Sequence, residues 1–282
     1  MQIYKADIYF NKKHSLAEGP YYDSRFKRLS WVDIPQGTVN TLIDGVCNSV
    51  KVGSTVGAAI PLKDSDGFLA CCTDGLYIKK DGEVKKLVDM SSHFKSFQRC
   101  NDAKCDSRGR LWFGSSSNDE TAGFGGDLFL LDNNVVTKVI PETGISNGMA
   151  WSSDGKTFYW ADSPENAVFA FDYDMETGTI SNRRVLCEIT DGVPDGLCID
   201  AQDNLWIAVW GGRRVENRDG KTGELIGKID VDANNVTCCC FGGESMDELF
   251  ITTSGDCQDG EGDGCIFRCK LNVSGPENNY FG

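Results

Sequence analysis

The sequence predicts an all-β protein, a six-bladed β-propeller with four-stranded blades around a central channel, and three observations lead there. A polar turn followed by a short apolar strand recurs six times along the chain. Successive copies lie roughly 40–48 residues apart, the length of one four-stranded blade. The segments between them alternate apolar and polar residues as strands do, and a helical period is absent beyond one short turn near 90–94. A β-sandwich array accounts less well for this pattern, because sandwich strands do not normally recur in such even blocks. With no linker, low-complexity tract or shift of composition in 282 residues, one propeller domain over 1–282 is expected.

The six copies can be taken in order. Ser24-Arg25-Phe26-Lys27-Arg28 precedes Leu29-Ser30-Trp31, and Asp64-Ser65-Asp66-Gly67 precedes Phe68-Leu69-Ala70. Asp106-Ser107-Arg108-Gly109-Arg110 precedes Leu111-Trp112-Phe113, and Ser153-Asp154-Gly155-Lys156 precedes Thr157-Phe158-Tyr159-Trp160. Ala201-Gln202-Asp203-Asn204 precedes Leu205-Trp206-Ile207, and Ser245-Met246-Asp247-Glu248 precedes Leu249-Phe250-Ile251. Further strands fill each period. Gly126-Asp127-Leu128-Phe129-Leu130-Leu131-Asp132 and Ala167-Val168-Phe169-Ala170-Phe171-Asp172-Tyr173 run into Asp-, Asn- and Gly-rich turns, one of them the late-glycine hairpin turn ending at Gly178.

Composition narrows the function. A hydrophobic content of 40% suits a globular protein with a large core, and a net charge of −14 argues against a nucleic-acid partner, which needs a basic face. The acidity is compatible with binding a multivalent cation. No apolar run approaches the ~20 residues of a membrane span, and the N-terminal MQIYKADIYFNKKHS lacks a secretory pattern, so neither a membrane partner nor export is expected. There are thirteen cysteines but no Cys-X-X-Cys pair, and the two histidines, His14 and His93, stand apart, which argues against a Cys/His zinc centre. Several cysteines, such as Cys198, Cys239 and Cys269, sit in apolar strands, where thiols behave as small hydrophobes. The expectation is a cytoplasmic monomer with reduced thiols, one disulfide among Cys257, Cys265 and Cys269 being the exception weighed against it.

In a propeller, equivalent positions on the inner strands converge at one mouth of the channel. Those positions here are Glu18-Gly19, Val56-Gly57, Asn101-Asp102, Asn147-Gly148, Asp195-Gly196 and Thr237-Cys238. Four of the six carry a carboxylate or a carboxamide. Such a mixed oxygen set is what a hard divalent cation needs. The Asx-Gly pairs also serve turns, but four in register, one of them a glutamate, favour convergence on an ion. Pro194 and Gly196 are expected to pin the Asp195 carboxylate on a corner at a strand entrance, proline through its fixed φ and glycine through its access to positive φ.

At these residues the chain resembles a known family. Leu16-Ala17-Glu18-Gly19-Pro20, Arg99-Cys100-Asn101-Asp102-Ala103-Lys104, Ile145-Ser146-Asn147-Gly148-Met149-Ala150-Trp151 and Pro194-Asp195-Gly196 look like signature segments of the regucalcin (senescence marker protein), gluconolactonase and luciferin-regenerating enzyme family. Phe171-Asp172-Tyr173-Asp174, Ile180-Ser181-Asn182-Arg183-Arg184 and Cys239-Cys240-Phe241-Gly242-Gly243 extend the likeness over nearly the whole chain, and it looks closest to the animal regucalcins. The resemblance implies a lactonase, a hydrolase of small sugar lactones such as gluconolactone, with one divalent cation: calcium, zinc, manganese or magnesium. It implies Glu18, Asn147 and Asp195 as metal ligands, Arg99 and Asn101 as contacts to substrate hydroxyls, and Glu120 as a third such contact.

On that basis Asp195 is the expected catalytic general base beside a metal-activated water. No Gly-X-Ser-X-Gly elbow supports a serine hydrolase instead. A calcium-binding regulatory protein of regucalcin type, a metal-dependent esterase or organophosphate hydrolase, and a scaffold with an exposed apolar patch are the alternatives. Asp259, Glu261 and Asp263 imitate the start of a calcium-binding helix–loop–helix loop, but its twelfth position is Lys270 where a bidentate glutamate belongs, and the flanks read as strands. The segment is expected to be a mobile acidic hairpin tip between two strands.

Overall fold

In the computed structural model, which describes residues 1–117, 125–256 and 260–282, each repeat folds as an antiparallel meander and six such sheets form a ring. The innermost strands touch one another in a closed cycle, first to second and so on to sixth and back to first. These inner strands are Ala17–Asp23, Val56–Pro61, Gln98–Cys105, Ser146–Trp151, Val193–Ile199 and Val236–Gly242, and they define blades 1 to 6. The predicted propeller is the observed fold.

The recurring turn-and-strand unit is the second strand of each blade. Arg28–Asp33, Leu111–Ser117, Thr157–Asp162 and Asn204–Trp210 bury Trp31, Trp112, Trp160 and Trp206 almost completely. A buried indole N–H needs an acceptor, and each finds one: His14 Nε2, Asp106 Oδ2, Ser146 Oγ and Asp200 Oδ2 at 2.9–3.2 Å. The polar turn therefore helps to satisfy the core. Asp200 accepts the N–H groups of Gln202 and Asn204, both at 2.9 Å, and then the Trp206 indole. The late-glycine hairpin is also observed, Gly178 having φ 71 and its N–H reaching Asp174 O.

Two N-terminal strands complete the ring in a way the repeat does not show. Asp7–Phe10 supplies the outer strand of blade 6, pairing antiparallel with Ile266–Lys270. Gln2–Lys5 pairs parallel with Leu225–Asp230 and makes blade 5 five-stranded. The two ends of the chain thus share a sheet, and opening the ring requires breaking that ladder.

One irregularity places the site. Every inner strand slips register against its second strand at the same level: Glu18/Tyr21, Val56/Ala58, Cys100/Ala103, Ser146/Met149, Pro194/Leu197 and Val236/Cys238. A bulge bends a strand and re-aims its side chains. Asp195 is therefore inside a strand at a bulge, not on a corner at its entrance. Gly196 is not in the left-handed region either; it is required because a Cβ there would overlap Cys238 Sγ of blade 6. Positive φ is needed at Gly19 instead, at 51°.

Among the described residues no helix is long and apolar enough to cross a membrane, and every cysteine is a free thiol. Cys257 lies outside the described residues.

Candidate functional site

The bulges bring Glu18, Asn101, Asp102, Asn147 and Asp195 to one level of the channel, each no more than 7% exposed. Glu18 on blade 1 and Asp195 on blade 5 bring their carboxyl groups into each other's field, together with that of Asp102. Both carboxyls are held well above the usual carboxylate range. For Glu18 the cause is burial, then the charge of Asp102, opposed by the Gly19 N–H at 2.7 Å from its Oε2. For Asp195 it is burial, then the charges of Glu18 and Asp102, opposed by the Gly196 N–H. Burial also raises Asp102, against the Lys104 ammonium and the Ala103 N–H, which donates to its Oδ1 at 2.7 Å.

The amides form a second group beside the carboxyls. Arg99 Nη1 donates to Asn101 Oδ1 at 2.7 Å and to Cys100 O at 2.9 Å. Asn101 Nδ2 donates to Asn147 Oδ1 at 2.8 Å and to Ser146 O at 3.1 Å. Asn147 Nδ2 donates to Ser163 Oγ, and Ser163 Oγ donates to Pro194 O, both at 2.7 Å. Burial lowers the Arg99 guanidinium, while Cys100, Glu18 and Asp195 raise it. Further along the channel Lys104 Nζ donates to Leu197 O at 2.7 Å, joining blades 3 and 5.

Five of the six residues singled out from sequence, Glu18, Arg99, Asn101, Asn147 and Asp195, thus form one connected cluster. Glu120 lies outside the described residues. Sequence reasoning did not assign Asp102, although it stands in the same bulge as Asn101, nor Ser163, which sits on a short 3-10 turn, Ser163–Glu165, outside the repeat register. The calcium-loop imitation has a structural explanation at Asp263. Its carboxylate is 2% exposed and is occupied by Asn234 N, Asn234 Nδ2 and Gly260 N, at 2.7–2.9 Å. Asp259 lies outside the described residues.

The cluster fits a divalent cation on electrostatic grounds. Buried carboxyls that resist ionisation in each other's field are a site whose negative charge a dication would relieve. The available donors are oxygens, which suits a hard ion. No group of three or more His, Cys, Asp or Glu side chains gathers in ion-holding geometry among the described residues, and the amide oxygen of Asn147 is a further oxygen beside the two carboxyls.

Comparison with known proteins covers the stretch of chain that contains these residues. The sequence profile of the SMP-30/Gluconolactonase/LRE-like region matches residues 16–255. Chicken (Gallus gallus) regucalcin is 31% identical over 271 residues, covering 93% of this chain and 90% of its own. The Bacillus subtilis protein YvrE, described provisionally as a sugar lactone lactonase, is 32% identical over 245 residues, covering 85% and 83%. Among solved structures, a luciferin-regenerating enzyme superposes with a TM-score of 0.89 at 30% identity, covering 95% of this chain and 96% of its own.

Proposed function

Because the chain belongs to the SMP-30/gluconolactonase/LRE-like family, we propose that it opens sugar lactones by hydrolysis with one divalent cation at the channel mouth, held by Glu18, Asn147 and Asp195. The observation that carries this reading is the buried Glu18–Asp195 pair beside the Asn147 amide. When bound, the cation polarises the lactone carbonyl and makes a nearby water more acidic.

The chain's own residues do the rest. Asp195, ionised once its own proton is displaced, takes a proton from the attacking water. It returns that proton to the ring oxygen as the acyl C–O bond breaks, so the product is the open hydroxy acid and the enzyme is regenerated. Arg99 and Asn101 orient the ring hydroxyls, which lowers the entropic part of the barrier. Glu120 is the third contact that the family resemblance implies.

The test is a pH-stat assay on gluconolactone and related lactones, with protein stripped of metal and reloaded with calcium, magnesium, manganese or zinc. Asp195→Asn is expected to abolish the metal-dependent rate while the fold is kept; turnover near the wild-type value would rule out its role. Calcium binding in a regulatory protein is the second reading, favoured by a donor set of oxygens alone. Tight calcium binding without lactone turnover under any of the four metals would select it. Among the described residues exposed Val46, Val84, Val135 and Val185 lie on the outer strands of four different blades, which does not favour the scaffold reading. The free thiols favour a reducing compartment such as the cytoplasm.

A further inference from the structure

Four hydrogen bonds run in one direction across blades 3, 4 and 5. Arg99 Nη1 donates to Asn101 Oδ1, Asn101 Nδ2 to Asn147 Oδ1, Asn147 Nδ2 to Ser163 Oγ, and Ser163 Oγ to Pro194 O, with every distance 2.7–2.8 Å. The two ends cannot reverse. A guanidinium has donors and no acceptor, and a proline carbonyl has an acceptor and no donor. Each amide and hydroxyl between them can turn either way alone, but the ends leave the chain only one polarity. Ser163 must spend its proton on Pro194, so it offers Asn147 a lone pair, and the Asn147 side chain must turn its NH2 group to Ser163 and its oxygen to the channel. Ser163 is 5% exposed, so water does not readily take its place.

We propose that Ser163 is a positioning residue that, with Asn101 on the other side, sets which end of the Asn147 amide faces the cation, a role resting on the assignment of Asn147 as a ligand. Were the amide reversed, an N–H group would point at the ion and the site would lose one of its three protein donors. A group that orients a ligand in this way commonly affects metal affinity by about 10–100-fold.

The experiment measures calcium and manganese binding to metal-stripped protein by titration calorimetry, with the melting temperature of each metal-free variant recorded alongside. Ser163→Ala is expected to weaken both ions roughly tenfold or more, and Ser163→Thr, which keeps the hydroxyl, to stay near wild type. The decisive background is Asn147→Asp. A carboxylate offers an oxygen at either end and has no polarity to set, so adding Ser163→Ala there should change affinity less than about threefold. An equal loss in both backgrounds, or a Ser163→Ala variant that binds as wild type does, overturns the role of Ser163 and leaves the cation site standing. If wild-type protein binds neither ion, the cation site itself falls, and the role of Ser163 with it.

Discussion

Proton release from Glu18 and Asp195 should make the metal-free protein less stable as pH rises, and Asp195→Asn should remove the share that Asp195 contributes. Both carboxyls have folded-state pKa values above their unfolded ones, Glu18 rising from 4.5 to about 8. The folded protein therefore holds a proton that the unfolded chain has already released. Stability contributed this way is complete below the unfolded value and declines as pH rises through the folded one, for Glu18 from about 4.5 to about 8. Each proton so retained costs about a factor of ten in the folding equilibrium per pH unit. His14 works the other way: burial lowers its pKa, so its neutral form gains in the folded state as pH rises through 6.5. The difference between wild type and Asp195→Asn cancels that contribution and leaves that of Asp195. Urea unfolding of chelator-treated protein between pH 5 and 9 supplies both curves. A saturating cation should flatten or invert the wild-type slope, since ion and proton compete for the same oxygens, and should leave Asp195→Asn unchanged. Parallel curves for the two metal-free proteins would refute the claim that folded Asp195 keeps a proton which the unfolded chain releases.

Two further changes probe the fold that presents the site. Gly196→Ala puts a methyl group onto Cys238; it should displace the Asp195 bulge and weaken calcium binding at least tenfold, measured by calorimetry on protein whose circular dichroism remains native. Removing residues 1–10 takes away the outer strand of blade 6 and the fifth strand of blade 5. The exposed edge of Ile266–Lys270 should then promote self-association, visible in size-exclusion chromatography, together with a lower urea midpoint.

What the sequence made legible was the part of each blade whose neighbours are close in the chain. Trp31, Trp112, Trp160 and Trp206 repeat because each sits on a second strand joined by a short polar turn to the inner strand before it, so alternation and turn chemistry agree locally. The N-terminal strands carry no comparable signal. Ile3 pairs with Lys228 and Asp7 with Arg268, more than two hundred residues away, and Ile3 and Ile8 remain exposed, which blurs the apolar–polar alternation. Ring closure is a long-range pairing that no local window contains.

The site was legible for a different reason, and the same reason explains where the reading went astray. A residue that must leave the strand's alternation to face the channel looks from sequence like the end of a turn, so Asp195 was placed at a strand entrance when it occupies a bulge within Val193–Ile199. The six register slips are one backbone device used six times, and only four of the six positions present an oxygen-bearing side chain there. Val56 and Thr237 occupy the other two; Val56 has no oxygen to offer, and Thr237 turns its hydroxyl to Ala17 O and Thr252. The fold therefore supplies the aim and the individual residue supplies the chemistry. Recurrence alone can find such positions, but it cannot find Ser163, whose importance comes from a hydrogen-bond direction fixed at Arg99 and Pro194 and not from any repeat.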